Sequence, residues 1–350
     1  MNERRAIPFN VLTGFLGAGK STVLQQILTG AAGQGVALLI NEFGEVPVDH
    51  LLVDAVKAEA VLLKNGCVCC SVRGELKTAL LGLLARLRSS EVPPVERVIL
   101  ETSGLTEPAT VIATILNDPQ LCHQFQMATI VTCVDAKLAV MQASAFPEWM
   151  AQVTAAEKIL ITKADLVTAA ELLRTRQYVQ AINPVADIFD STNRPELADL
   201  FSDKPPADLS RFDLSDESEH RSDGHLSHDS IHDSIHALGS TKSFFLEIAR
   251  TLNWERFALW LSLLLHAHGN KVLRVKGVLR VEGTDDLIVI QGVQHLIHPP
   301  IHLTNRMAKT EVSKLVFIVR DLDPETIRRS FAAFGLASPI EASATVYAEA

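Results

Sequence analysis

One segment constrains this chain more than any other: Gly14, Phe15, Leu16, Gly17, Ala18, Gly19, Lys20, Ser21. It reads G-x-x-x-x-G-K-S. It lies directly behind an apolar run at residues 8–13 and opens a stretch with helical spacing at residues 21–29. A strand, a glycine loop and a helix in that order make a phosphate cradle. Several backbone N–H groups turn toward one point, and the helix N-terminus adds partial positive charge. Gly14, Gly17, Ala18, Gly19, Lys20, Ser21 and Thr22 are therefore the expected phosphate-binding residues. Lys20 is the group expected to reach the terminal phosphates, and the Ser21 hydroxyl is expected to bind Mg²⁺.

Further short apolar runs follow at residues 36–41, 97–101, 128–134 and 158–162, with a helical pattern at 76–87. Continuous apolar runs separated by helices are what a parallel sheet buried on both faces requires. The expected fold class is α/β, a P-loop doubly wound, mostly parallel sheet followed by a smaller C-terminal α+β domain. The domain reading is 1–197 for the nucleotide-binding part, 198–240 for a flexible linker rich in His, Asp and Ser, and 241–350 for the second domain. In that last part, strands are expected at 244–248, 272–276, 287–291, 294–298 and 315–319. A helix capped by Asn253 should run to about residue 268, and another from Asp323 and Pro324 should stop at Gly335.

The 350 residues carry a formal net charge of -9, which gives no general attraction to nucleic acid or anionic membranes. No stretch approaches the roughly 18 apolar residues of a membrane-spanning helix. The five cysteines are odd in number, and three fall within four positions. Metal or thiol chemistry in a reducing cytoplasm suits that pattern better than disulfides. Cys122 and Cys133 read as ordinary packed residues.

Two later segments refine the nucleotide site. Glu101, at the end of the run 97–101, is the expected acid for Mg²⁺, and Gly104 should sense the γ-phosphate through its N–H. Residues 162–165 are Thr-Lys-Ala-Asp, close to the guanine-reading Asn-Lys-x-Asp. A carboxylate at Asp165 can accept from N1–H and the 2-amino group of guanine, and the Lys163 stem can cover the ring. GTP is therefore favoured over ATP.

Gly66-Cys67-Val68-Cys69-Cys70 is the second informative cluster. Two or three of the thiolates Cys67, Cys69 and Cys70 can hold Zn²⁺, with Co²⁺ or Ni²⁺ as alternatives. Three cysteines without a fourth ligand suggest an exchangeable ion rather than a closed structural cage. Glu42, Glu45 and Asp49 lie where a switch segment would follow the second strand, and they are candidate metal ligands. His228, His232 and His236, spaced by four, could gather metal weakly. His295, His298 and His302 read as structural or surface residues.

Together these motifs resemble the CobW-type metallochaperone GTPases, relatives of the urease and hydrogenase nickel-insertion GTPases. The matching pieces are residues 13–22, 41–46, 65–70, 101–104, 133–136 and 162–165, with 273–277 and 291–296 in the second domain. The resemblance implies Mg·GTP binding, slow hydrolysis, and delivery of a metal held at Cys67, Cys69 and Cys70 to a client metalloprotein or cofactor-synthesis enzyme. Expected states are monomer or nucleotide-dependent homodimer. Thr162 in place of Asn and Pro47 in place of a common Gly depart from the pattern. A small-molecule kinase and a metal-storage protein with incidental hydrolysis are the alternatives.

Overall fold

In a computed structural model, the described residues are 6–29, 35–40, 59–62, 71–192, 200–201, 241–303, 312–336 and 346–347. The chain divides into two compact units, Met1–Arg176 with Ala186–Asp203, and Gln177–Val185 with Lys204–Ala350.

The first unit holds β1 (Ile7–Gly14), α1 (Lys20–Thr29), β2 (Val36–Ile40), β3 (Glu59–Leu62), α2 (Ser71–Arg88), β4 (Arg97–Glu101), α3 (Pro108–Asn117), β5 (Phe125–Asp135), α4 (Ala139–Ala145), α5 (Pro147–Ala155), β6 (Lys158–Thr162) and β7 (Asp187–Asp190). Helix α6 (Ala169–Ile182) begins in this unit. The strands form one sheet in the order β3-β2-β4-β1-β5-β6-β7, and every pairing among them is parallel. Strand β1 lies between β4 and β5, so chain order reverses beside it. That is the switch point where open α/β sheets leave a crevice at the carboxyl ends of their strands.

The apolar runs are strands because they are covered on both faces. All five residues of β2 and of β6 are buried, and so are the last four of β4. Strand β5 is longer than the run 128–134, because pairing with β1 starts it at Phe125 and pairing with β6 carries it to Asp135. Strand β7 did not stand out in the sequence. Its Asp187 and Asp190 interrupt the apolar signal, and Asp190 is instead buried against Arg176, 2.8 Å away.

The second unit holds β8 (Thr241–Ile248), α7 (Trp254–His268), β9 (Val272–Arg280), β10 (Leu287–Val293), β11 (Leu296–Ile297), β12 (Ile301–Leu303), β13 (Ser313–Arg320), α8 (Pro324–Ala333) and β14 (Val346–Tyr347). The sheet is antiparallel, in the order β11-β10-β9-β13-β8-β14, with β12 also on β10. One face packs Phe244, Val275 and Phe317 against Trp260 and Leu264 of α7 and Phe331 of α8. The other packs Phe245, Val278 and Val316 with Val185. Asn253 caps α7 by accepting from the Arg256 N–H at 3.1 Å, and Gly335 turns the chain after α8 with φ of 66°. The segment 294–298 differs from expectation. Gln294 takes φ of 53° and turns the chain, so only Leu296–Ile297 pairs.

Among the described residues no helix is long and apolar enough to cross a membrane. The expected linker at 198–240 lies outside the described residues, apart from 200–201.

Gly277 in β9 has no room for a side chain. A Cβ there would stand 2.4 Å from the Lys314 carbonyl oxygen of β13. Gly277→Ala should destabilise the chain by about 1–3 kcal/mol through overpacking. The measurement is the urea midpoint followed by circular dichroism; an unchanged midpoint would contradict the fit described.

Candidate nucleotide site

Four strands end in residues that meet around one loop. Gly14 closes β1, Glu101 closes β4, Asp135 closes β5 and Thr162 closes β6. The registers align them: Leu12 pairs with Glu101, Gly14 with Cys133, and Asp135 with Thr162.

The loop of residues 14–19 is shaped by glycine. Gly14, Gly17 and Gly19 have φ of 142°, 73° and 85°, conformations that side chains disfavour. Gly14 is also pressed on its neighbour, since a Cβ would lie 2.4 Å from the Cys133 carbonyl oxygen. Ala18 is buried under the loop. Lys20 folds back so that its Nζ donates to the carbonyls of Gly14 at 2.8 Å and Phe15 at 3.2 Å. A lysine that is 9% exposed is thus held on the rim of the cradle. Ser21 lies in the first turn of α1, and its hydroxyl donates to Glu101 Oε1 at 3.0 Å. Thr22 is exposed on the next position. Glu101 itself is buried, so the acid at the end of β4 and the hydroxyl at the start of α1 form one oxygen pair.

Beyond Glu101, Thr102 Oγ1 donates to Thr13 Oγ1 at 2.8 Å, and the Thr102 N–H donates to the Leu12 carbonyl at 3.0 Å. These bonds stitch the β4 loop to β1. Gly104 follows and backs onto the phosphate loop. A Cβ at Gly104 would stand 2.6 Å from both the backbone N and the Cδ2 of Leu16.

Lys163 and Asp165 come to the same loop through Thr162. The Thr162 hydroxyl lies 2.8 Å from the Ala18 carbonyl and 3.1 Å from that of Val134, with its one proton to donate. Its side chain also touches the space above Gly19, at 3.6 Å from a Cβ position there. Lys163 adopts a left-handed φ of 56°, which turns the chain sharply into the 3₁₀ segment Ala164–Leu166. Asp165 is exposed on that segment.

Two residues that hold this base-side loop had no assigned role in the sequence. Asp135 is buried and accepts from Lys163 Nζ at 2.5 Å and from the Lys137 N–H at 2.9 Å. Ser191, just past β7, accepts from the Ala164 N–H at 3.1 Å. Asp135 stood within a recognised motif, Cys-Val-Asp-Ala, but its lysine partner is 28 positions away. Ser191 carried no sequence signal at all.

Cys133 is buried beneath the loop. Burial pushes its thiol from 9.0 up to about 12; the charge of Lys20 lowers it and that of Glu101 raises it. Cys122 is half-buried rather than packed. The expected metal residues Glu42, Asp49, Cys67, Cys69 and Cys70 lie outside the described residues, as do Glu45 and the histidine tract at 220–236. Among the described residues no three His, Cys, Asp or Glu gather as a metal-holding group. His298 is buried, whereas His295 and His302 are exposed.

Two outcomes follow from this geometry. Thr162→Val keeps the shape and leaves the Ala18 carbonyl without its hydroxyl donor. Nucleotide affinity, read with a fluorescent guanine nucleotide, should fall by about 5- to 30-fold, the equivalent of about 1–2 kcal/mol. For Cys133, the neutral thiol is favoured in the fold, so its contribution to stability is complete below pH 9 and is lost as pH rises from 9 toward 12. At mildly alkaline pH, iodoacetamide should leave Cys133 unmodified until the chain is unfolded, as mass spectrometry of the digested protein would record.

Comparisons with known proteins identify the family of the chain. The sequence profile described as the CobW/HypB/UreG nucleotide-binding domain matches residues 8–190, and that of the cobalamin synthesis protein cobW C-terminal domain matches 241–335. The zinc chaperone YjiA of Escherichia coli is 32% identical over 334 residues, covering 93% of this chain and 98% of that protein. The zinc chaperone CobW of Sinorhizobium sp is 28% identical over 362 residues, covering 93% and 97%. The crystal structure of Zn(II)-bound YjiA GTPase from E. coli superposes with a TM-score of 0.68 at 27% identity, covering 95% of this chain and 100% of that one. A glycine loop at the switch point of a parallel sheet, its acid partner on β4 and these matches along nearly the whole chain lead to one conclusion: the chain belongs to the CobW/HypB/UreG family and carries the CobW-type C-terminal domain.

Proposed function

We propose that this protein is a GTP-hydrolysing metallochaperone that carries Zn²⁺ and passes it to a client metalloprotein or to an enzyme of cofactor synthesis. The observation that carries the nucleotide half is the Ser21 hydroxyl on Glu101 Oε1 at 3.0 Å. A buried carboxylate and a hydroxyl in the first turn of a helix, both hard oxygen donors, suit Mg²⁺ bound with a nucleoside triphosphate. When bound, Mg²⁺ would neutralise charge on the phosphates, held by Ser21 and Glu101. The chain's own groups do the rest. The amides of Gly17, Ala18, Gly19 and Lys20 cradle the phosphates, with Thr22 beside them. Lys20 Nζ gives up its carbonyl partners for the terminal phosphates, and Gly104 offers its N–H to the γ-phosphate. Asp165 accepts from guanine while the Lys163 stem covers the ring.

The metal half rests on Cys67, Cys69 and Cys70 as soft ligands for Zn²⁺, with Co²⁺ or Ni²⁺ as competitors, and on the zinc-chaperone relatives. Glu42 and Asp49 would complete the ligand set or contact the nucleotide metal. Three thiols remain available as ligands in a reducing compartment, which fits work in the cytoplasm. Cargo release requires two states of different zinc affinity, and the γ-phosphate is the ligand that distinguishes them.

The test is zinc affinity measured with a non-hydrolysable GTP analogue, with GDP and without nucleotide. The analogue should change it about 5- to 150-fold relative to GDP. Replacing Cys67, Cys69 and Cys70 together by Ala should remove the tight zinc site and spare hydrolysis, and Lys20→Ala should do the reverse. Equal zinc affinity in all three nucleotide states would sink the coupling.

A further inference from the structure

The turn that carries Gly104 and the phosphate loop share one support, α5. Gln152 lies on that helix, fully buried. Its Nε2 donates to the carbonyls of Gly104 at 3.0 Å and Thr106 at 3.1 Å, so both amide protons hold one turn. The turn is closed from within by the Thr106 N–H on the Ser103 carbonyl at 3.1 Å and by their hydroxyls 2.8 Å apart. A trans peptide places its C=O and N–H on opposite sides. Holding the Gly104 carbonyl toward Gln152 therefore turns the Leu105 N–H away from it.

The same helix grips the phosphate loop. Phe146, immediately before α5, sets its ring 4.5 Å from that of Phe15. Gln152 is in turn tied to the sheet, since its backbone carbonyl accepts from Thr132 Oγ1 at 2.8 Å. One rigid piece thus meets Phe15 at its start and the Gly104 turn in its second half.

The amide also carries a burden that packing alone would not select. Gln152 Oε1 is buried and has no hydrogen-bond partner among the described residues. A leucine would fill the space without stranding an oxygen. What the amide alone supplies is the pair of donors on the turn.

We infer that Gln152 is a positioning residue for the triphosphate, fixing the turn of residues 103–106 against the phosphate loop so that the backbone N–H groups of this turn are held in place for the γ-phosphate. This rests on the reading of the site as a GTP site, and it specifies which nucleotide is sensitive. GDP has no γ-phosphate and should not register the loss.

The full-length chain is compared with Q152L and with Q152M, which is straight like glutamine and carries no donor. Binding of a non-hydrolysable GTP analogue and of GDP is titrated for each, and hydrolysis is timed. Expected is an affinity for the analogue reduced about tenfold, with GDP within about twofold of wild type and kcat lowered. Q152M serves if Q152L does not fold. Equal loss of both nucleotides, or no change in either, overturns the role of Gln152. A wild-type chain that binds neither nucleotide overturns the GTPase reading and this inference with it. A wild type that prefers the triphosphate, beside variants with the same preference, overturns the inference alone.

Discussion

The missing side chain at Gly14 is the constraint on which the nucleotide site depends. With the Cys133 carbonyl 2.4 Å from where a Cβ would lie, only glycine lets β1 end flush against β5 and turn into the phosphate loop. That close approach keeps the loop at the reversal of strand order, where β4 and β5 diverge from β1. Glu101 and Asp135 then arrive on either side of it because parallel strands in register end at similar heights. The cradle is therefore a consequence of sheet geometry and of three glycines, not of side chains converging independently.

The site is wired to the scaffold by hydrogen bonds to loop carbonyls. Thr162 reaches the Ala18 carbonyl, Gln152 reaches those of Gly104 and Thr106, and Lys20 reaches those of Gly14 and Phe15. Of these, Lys20 is the one whose partners a phosphate group would replace. The others join the loops to the scaffold itself. This division separates a moving cation from fixed braces, which is what preorganised charge stabilisation needs. It also gives Thr162 a physical sense in place of asparagine. A hydroxyl is enough to hold the phosphate loop, while the side chain still rests against Gly19.

The apolar runs of β1, β2, β4, β5 and β6 were legible because strands buried on both faces read as continuous hydrophobic segments. The second unit was legible through its caps, Asn253 and Asp323, and less so at Gln294, whose left-handed turn shortens the expected strand to two residues. Strand β7 was hidden because two aspartates interrupt its apolar signal, and one of them, Asp190, is buried against Arg176. In the proposed site, Gly14 to Ser21, Glu101 and Gly104 were candidates on spacing alone. Asp135, Ser191 and Gln152 were not, because their partners lie 28, 27 and 48 positions away.

The sequence by itself determined the glycine loop, the class of sheet that must present it, and the close spacing of three cysteines. It could do so because those features are local: a glycine pattern, an apolar period, three cysteines in four positions. Only the tertiary structure decided that Thr162 braces the loop, that Lys163 leans on Asp135, and that α5 supports both the phosphate loop and the Gly104 turn. Those are contacts between strand ends and helices far apart in the chain. Their partners are mostly backbone carbonyls, which every residue carries, so no choice of amino acid announces them in advance.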